Sequence, residues 1–258
     1  MMPKIILSFD VEEFDMPLEY GFPISAKQQM EVGGLGLTAL MPILMDSEIQ
    51  TTLFTTANFA NHYPETIKKL SLQHEIASHT FYHSSFETAH LIDSRLRLAE
   101  IIEKEVVGLR MPRMKQVPVS DISRAGYIYD ASIHPTWLPG RYNNLHLPRE
   151  IYQEFGLYRV PASVSTIFRI PLFWLSFKNF PYPLYLQLAL QALRTQGFLS
   201  LYFHPWEFVD IHGFGLPNYT IKGCRSTLLE RLKRLIADLK PHGEFITYYD
   251  FVKSKSIN

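Results

Sequence analysis

The feature that most restricts how this chain can fold is a regular alternation of short apolar runs with longer amphipathic ones. Residues 4–9, 51–57, 106–109, 127–133, 198–203 and 245–249 are short and rich in β-branched or aromatic side chains, the composition of buried strands. Between them, residues 37–46, 65–70, 84–105, 184–195 and 226–240 carry apolar side chains at helical spacing. A strand followed by a helix and another strand needs a crossover, so the sheet is mainly parallel and the chain α/β. Residues 16–29 and 140–157 read as loop, and 158–164 as extended. The run Gly33-Gly34-Leu35-Gly36 lacks G-x-G-x-x-G spacing and follows no apolar strand. It is read as the opening of the helix over 37–46, with Pro42 near the first turn. No repeat or linker divides the chain, and a single domain over 1–258 is expected.

Composition removes several functional classes. Twenty-five basic residues balance twenty-five acidic ones, which leaves no electrostatic case for nucleic-acid binding. Cys224 is the single cysteine, so a disulfide framework and a cysteine-based metal cluster are both excluded. Only five residues separate Lys4 from the acidic run at Asp10, too few for the apolar core of an export signal. The most apolar region, 167–193, is interrupted by Arg169, Lys178 and several prolines and does not read as a membrane span. A cytoplasmic location is expected. Residues 167–185 interleave seven aromatic side chains, Phe173, Trp174 and Phe177 among them, with Arg169 and Lys178. The stretch is either a buried crossover or a patch for peripheral contact with the inner face of a membrane.

The chemistry concentrates at the ends of the strands. His79 and His83 stand four apart, so one helical turn would put both rings on one face, suited to a metal ion. The zinc-protease pattern H-E-x-x-H fails here, because His74 and His79 are five apart. Asp10 and Glu12 follow the first strand at i and i+2 and share one side, with Glu13 opposite. Two such carboxylates repel unless a cation or a proton separates them. Arg110 and His204 also sit just past strand ends, which is where catalytic residues of α/β barrels lie.

In this order the motifs resemble those of the polysaccharide deacetylases, the NodB-homology proteins of carbohydrate esterase family 4. Ser8-Phe9-Asp10-Val11-Glu12 resembles the first family motif, His79-Thr80-Phe81-Tyr82-His83 the second and Arg110-Met111-Pro112-Arg113 the third. Leu201-Tyr202-Phe203-His204-Pro205-Trp206 resembles the last. The resemblance implies a distorted (β/α) barrel of about seven or eight units. It also implies a metal-dependent hydrolase that removes acyl groups from amino sugars. By position, Asp10 would be the general base, Glu12, His79 and His83 the ligands of one divalent ion, Arg110 the partner of Asp10 and His204 the general acid. Zinc is the default ion, with cobalt, nickel, manganese or iron as alternatives. Arg113 would offer its backbone N–H to the substrate, Trp137 and Trp206 would wall the sugar pocket, and Asp130 is the candidate to tune His204.

Three positions depart from the family pattern. Val11 stands where a second adjacent aspartate is common, which passes the carboxylate ligand to Glu12. Arg113 replaces the usual tyrosine, and Tyr129-Asp130-Ala131-Ser132 replaces the usual Asp-x-x-Trp, leaving the role of Asp130 open. The expected substrate is an acetylated or formylated amino sugar on a nucleotide or polyprenyl-phosphate carrier. Hydrolysis of a small cyclic amide such as allantoin, and a non-catalytic sugar-binding module on the same fold, are the alternatives.

Overall fold

The computed structural model describes residues 2–256. Eight strands form a curled path, and a ninth pairs beside it. In chain order the strands are β1 (Lys4–Val11), β2 (Thr52–Thr55), β3 (Glu75–Ser78), β4 (Gly108–Leu109), β5 (Tyr129–Asp130), β6 (Trp137–Leu138), β7 (Tyr142–Asn143), β8 (Tyr152–Glu154), β9 (Leu157–Arg159), β10 (Phe198–Phe203) and β11 (Glu244–Phe245). The helices are α1 (Met16–Glu19), α2 (Ala26–Leu44), α3 (Ala57–His62), α4 (Pro64–Leu70), α5 (Ala89–Ile102), α6 (Val119–Arg124), α7 (Trp174–Asn179), α8 (Tyr182–Gln196), α9 (Asn218–Ile221), α10 (Ser226–Leu239) and α11 (Tyr248–Ser256). The main sheet runs β10-β1-β2-β3-β4-β5-β9-β8, with β11 also on β1 and β6-β7 as a separate ribbon. All its pairings are parallel except β8 with β9.

The expected distorted barrel forms as a curled sheet rather than a continuous ring. Past β9 the chain loses its ladder, and Ser163 makes the closure onto β10. Its N–H donates to Ser200 O at 3.0 Å, and its hydroxyl accepts from Ser200 N at 2.9 Å. Residues alternate along β1 as the pleat requires. Ile5, Leu7 and Phe9 join the large core beneath the helices, whereas Ile6 joins a smaller cluster with Phe54, Tyr129, Val160, Tyr248 and Phe251. Ser8 and Asp10 share the parity of Ile6, and both meet Arg110. The barrel interior thus changes from apolar at one end to ionic at the other.

Several elements differ from the sequence reading. Helix α2 begins at Ala26, because Ser25 and Gln28 form a reciprocal cap that outranks the glycines as a start signal. Gly33, Gly34 and Gly36 therefore sit in mid-helix, and Pro42 near its end. The glycines serve close approach instead. A Cβ on Gly33 would lie 2.6 Å from Glu12 O, and one on Gly36 would lie 2.3 Å from Pro205 O. Strand β11 ends at Phe245, and residues assigned to it enter α11. The stretch read as loop over 140–157 contains β7 and β8, and the strand read over 127–133 contracts to β5.

The aromatic run over 167–185 resolves mostly into core. Phe177 and Tyr185 are fully buried and Phe173 and Trp174 nearly so, while Ile167 and Phe168 are 74% and 79% exposed. A membrane patch of the breadth drawn from the sequence is therefore not present. No helix among the described residues is long and apolar enough to cross a membrane.

Candidate active site

At the C-terminal end of the barrel, β1, β3, β4 and β10 deliver the polar residues into one cleft of about 310 Å3. Asp10, Glu12, His79, His83, Arg113, His204 and Trp206 all line it. The buried carboxylates are Asp10, near the end of β1, and Glu12, just past it. Glu13 turns away as expected and accepts hydrogen bonds from Thr56 Oγ1 at 2.6 Å and Asn58 Nδ2 at 2.5 Å.

His79 and His83 do converge, but not on a helix. They belong to the loop after β3, where Thr80 takes a left-handed φ of 64°. That conformation is costly for a β-branched residue. It is held by hydrogen bonds from Thr80 N to Ser78 Oγ at 3.1 Å, from Thr80 Oγ1 to Tyr82 O at 3.0 Å and from Ala57 N to Thr80 O at 3.0 Å. The reversal stacks the two rings with centroids 5.6 Å apart.

Each ring is oriented from behind. His79 Nδ1 donates to Arg110 O at 2.8 Å and His83 Nδ1 donates to Asp15 Oδ1 at 2.6 Å. With the protons on Nδ1, both Nε2 lone pairs face Glu12 Oε2, at 3.0 and 3.1 Å. Glu12 Oε2 is buried and has no hydrogen-bond donor, while Glu12 Oε1 accepts from Trp206 Nε1 at 3.0 Å. Three lone-pair donors thus converge within 4.8 Å of one another. Tetrahedral zinc with ligands at about 2.0–2.1 Å would separate such atoms by about 3.3 Å, so the cradle fits a divalent ion after a slight opening. Electrostatics point the same way. Burial would lower His83, but the Glu12 and Asp15 carboxylates outweigh it and push the ring up to about 9. Burial would raise Glu12, yet His83 and His79 hold it well below the usual carboxylate range. The site attracts a positive charge, and a metal ion entering it would displace the proton that otherwise supplies one.

Arg110 is fully buried inside the barrel. Its Nη1 donates to Asp10 Oδ1 at 2.6 Å and to Ser8 Oγ at 3.0 Å, and its Nη2 donates to Tyr248 O–H at 2.8 Å. The guanidinium lies 4.0 Å above the Phe54 ring. Burial alone would favour losing the proton, but Asp10 more than offsets it and the group stays charged. Across the cleft His204 Nε2 stands 3.9 Å from Asp10 Oδ2. Its ring stacks on Trp206 with centroids 4.7 Å apart. Burial lowers the affinity of His204 for a proton, but the hydrogen bond to Glu207 and the nearby Glu12 carboxylate raise it above the ordinary value.

The other candidates divide. Arg113 has a left-handed φ of 55°, and its side chain reaches over the cleft to Asp15, at 3.0 Å, and Glu19. Trp206 is buried against Glu12 and His204, so it supports the site's polar groups more than it offers a sugar platform. Trp137 is 59% exposed on β6 and is not among the cleft's lining residues. Asp130 is fully buried, bound to Ser132 and 3.2 Å from Arg159, and none of its contacts reaches His204. Two further positions support the site: Asp15, and Glu207, which the sequence suggests as the partner of a nearby backbone group rather than as a ligand. Asp15 orients His83 and binds Arg113, and the acidic run 10–15 was its signal. Glu207 bonds to His204 through both backbone and ring, at the i,i+3 spacing of a short 3-10 turn.

Residues 35–123 match the family model described as polysaccharide deacetylase. Solved structures align over nearly the whole chain. A Pseudomonas aeruginosa PAO1 protein assigned as a polysaccharide deacetylase superposes with a TM-score of 0.67 at 14% identity, over 97% of this chain and 89% of its own. The chain thus has the fold of the polysaccharide deacetylases, and a third of it matches their family model. A Mycobacterium smegmatis protein assigned to the same activity gives 0.62 at 19% identity, covering 92% of this chain and 84% of that one. The PuuE allantoinase gives 0.65 at 15% identity, over 97% and 88%. No curated protein matches the chain significantly. On that fold Glu12, His79 and His83 form a cluster of ligand atoms suited to a metal ion.

Proposed function

We propose that this chain is a divalent-metal-dependent N-deacylase that removes an acetyl or formyl group from an amino sugar. The observation that carries the reading is the convergence of three aligned lone pairs, on Glu12, His79 and His83, beside the buried Asp10–Arg110 pair and facing His204. A bound ion, zinc by default, would be held by those three residues and would supply Lewis acidity and a water of lowered pKa.

The remaining chemistry belongs to the chain's own side chains. Asp10 is fixed in place by Arg110 at Oδ1, so that Oδ2 is left to take the proton of the attacking water. The N–H of Arg113, on its left-handed turn at the cleft, is the proposed hydrogen-bond donor to the oxygen that becomes negative as the amide carbon is attacked. His204 Nε2 carries a proton to the departing nitrogen, without which an amine is a poor leaving group. Arg113 and Arg141 at the mouth are the cations that would meet the phosphate of a nucleotide- or polyprenyl-phosphate-linked sugar. A location in the cytoplasm goes with such a precursor.

The test combines metal analysis with acyl-release assays on acetylated and formylated sugar donors, free and carrier-linked, with allantoin as the competing substrate. Asp10→Asn is expected to abolish turnover with metal retained, and His204→Ala to lower it by about 10²–10⁴-fold. Metal lost from either variant would break the division between ligands and acid–base pair. Sugar binding without acyl release by metal-loaded wild type would support the binding-module alternative.

A further inference from the structure

We propose that Glu207, paired with Lys178, is a positioning residue that fixes the ring of His204 with its proton on Nδ1, a role the sequence leaves open for Asp130. The geometry stands by itself; its catalytic consequence rests on the N-deacylase reading. Glu207 is wholly buried and its Oε1 accepts twice from one residue, from His204 N at 2.7 Å and from the ring at Nδ1 at 3.0 Å. A carboxylate oxygen can only accept, so Nδ1 must be the donor and Nε2 is left facing Asp10 and the cleft.

The other oxygen, Oε2, lies 3.1 Å from Lys178 Nζ. That ammonium is also wholly shielded, donates to Thr220 O at 2.8 Å and sits over the rings of Trp174 and Trp206 at 5.2 and 5.8 Å. The same two indoles pack against the His204 ring, Trp174 edge-on at 5.2 Å and Trp206 stacked at 4.7 Å. Burying two charges brings a desolvation cost that attraction seldom more than repays, so this pair is weak as a source of stability. What it delivers is a buried carboxylate with one oxygen bonded to His204 and the other paired with Lys178. Asp130 is unable to substitute, since Ser132 and Arg159 occupy it.

The test uses the chemistry of one substitution. In Glu207→Gln one carboxylate position becomes NH2. Turned toward Lys178 it sets donor against donor; turned toward His204 it opposes both N–H groups there. The double variant Lys178→Met, Glu207→Gln removes the conflict, because the amide NH2 can face methionine while its oxygen keeps both bonds to His204. The readouts are ring-nitrogen NMR of His204 in zinc-loaded protein without substrate, and kcat on an N-acetylated amino sugar and on a nitroaryl acetate. The nitroaryl leaving group departs without a proton.

Glu207→Gln is expected to lose the fixed Nδ1–H signal and at least about tenfold in kcat on the amide at unchanged KM, with a smaller loss on the aryl ester. The double variant is expected to regain the Nδ1–H signal and most of the amide activity. Because the single variant strands a buried ammonium and can fail to fold, the double variant decides that case: a folded double variant with Nδ1–H supports the proposal. A double variant without it, equal losses on amide and ester, or a single variant with wild-type signal and rate would each overturn it. Wild type inactive on every amide would defeat the activity proposed above, while the NMR comparison would still decide the role of Glu207.

Discussion

Replacing Arg110 with methionine keeps the volume of the side chain and removes its charge. Asp10 would then hold a buried carboxylate, 4% exposed, with its 2.6 Å partner gone, and Ser8 and Tyr248 would each lose a partner to the guanidinium. Breaking a buried ion pair from one side costs about 3–5 kcal/mol, mostly the price of the charge left behind. For a chain of 258 residues that corresponds to a melting temperature lower by about 6–10 °C, at about 2 °C per kcal/mol. Asp10→Asn alone strands the guanidinium and is expected to cost a similar amount. Arg110→Met, Asp10→Asn leaves no charge stranded and is expected to recover more than half of the loss, although it is inactive. Calorimetry and urea titration of wild type, both single variants and the double variant close the cycle. If Arg110→Met stays within about 1 kcal/mol of wild type, or the double variant is less stable than either single one, the ionic interior does not work as described.

Asp15→Asn keeps the size but weakens the acceptor behind His83, and zinc affinity is expected to fall about 10–100-fold in competition with a chromophoric chelator. Gly36→Ala would place a Cβ against Pro205 O, and is expected to destabilise by at least about 1–3 kcal/mol in urea titration and to lower activity by displacing the turn that carries His204. At the start of β3, burial pushes Glu75 up to about 6 from 4.5, despite hydrogen bonds from Thr52, Tyr249 and Tyr129. The folded state therefore holds this proton more tightly than the unfolded chain. The stability it contributes is full below about pH 4.5 and is lost as pH rises through 6. Glu75→Gln is expected to be more stable than wild type by up to about 2 kcal/mol at pH 8, with the advantage fading by pH 4.5, as followed by denaturant titration across pH.

Much of this fold could be read locally. Phe198–Phe203 and Ser226–Leu239 lie where apolar runs and helical periodicity put them, because each spans enough residues to show its period. Strands β4 and β5 fall inside apolar runs read as strands, but their contraction to two residues each is set by the neighbours that supply the pairing. The glycines of α2 were legible as exceptional but not as helical, since their reason is the backbone of Glu12 and Pro205, distant in the chain. The same separation governs the site. Residue types at strand ends singled out Asp10, Glu12, His79 and His83, which do meet in one cleft, yet the mates that orient them are set by tertiary contacts. His204 could not be paired with Glu207 rather than Asp130 until the 3-10 turn after β10 was seen. Lys178 looked like a break in an apolar run and is a buried ion partner.

The place of β1 between β10 and β11 has a consequence for how the protein is made. Ser8 reaches the carbonyl of Leu201 across 193 positions, and β11 lies later still. A ribosome adding about 5–20 residues per second completes that interval in roughly 10–40 s. Throughout it the emerging Lys4–Val11 segment has β2 as its only available strand partner and an open edge on the other side. The segment that bears Asp10 thus passes most of translation with one edge unpaired, and the sheet around the site can close only once β10 has emerged.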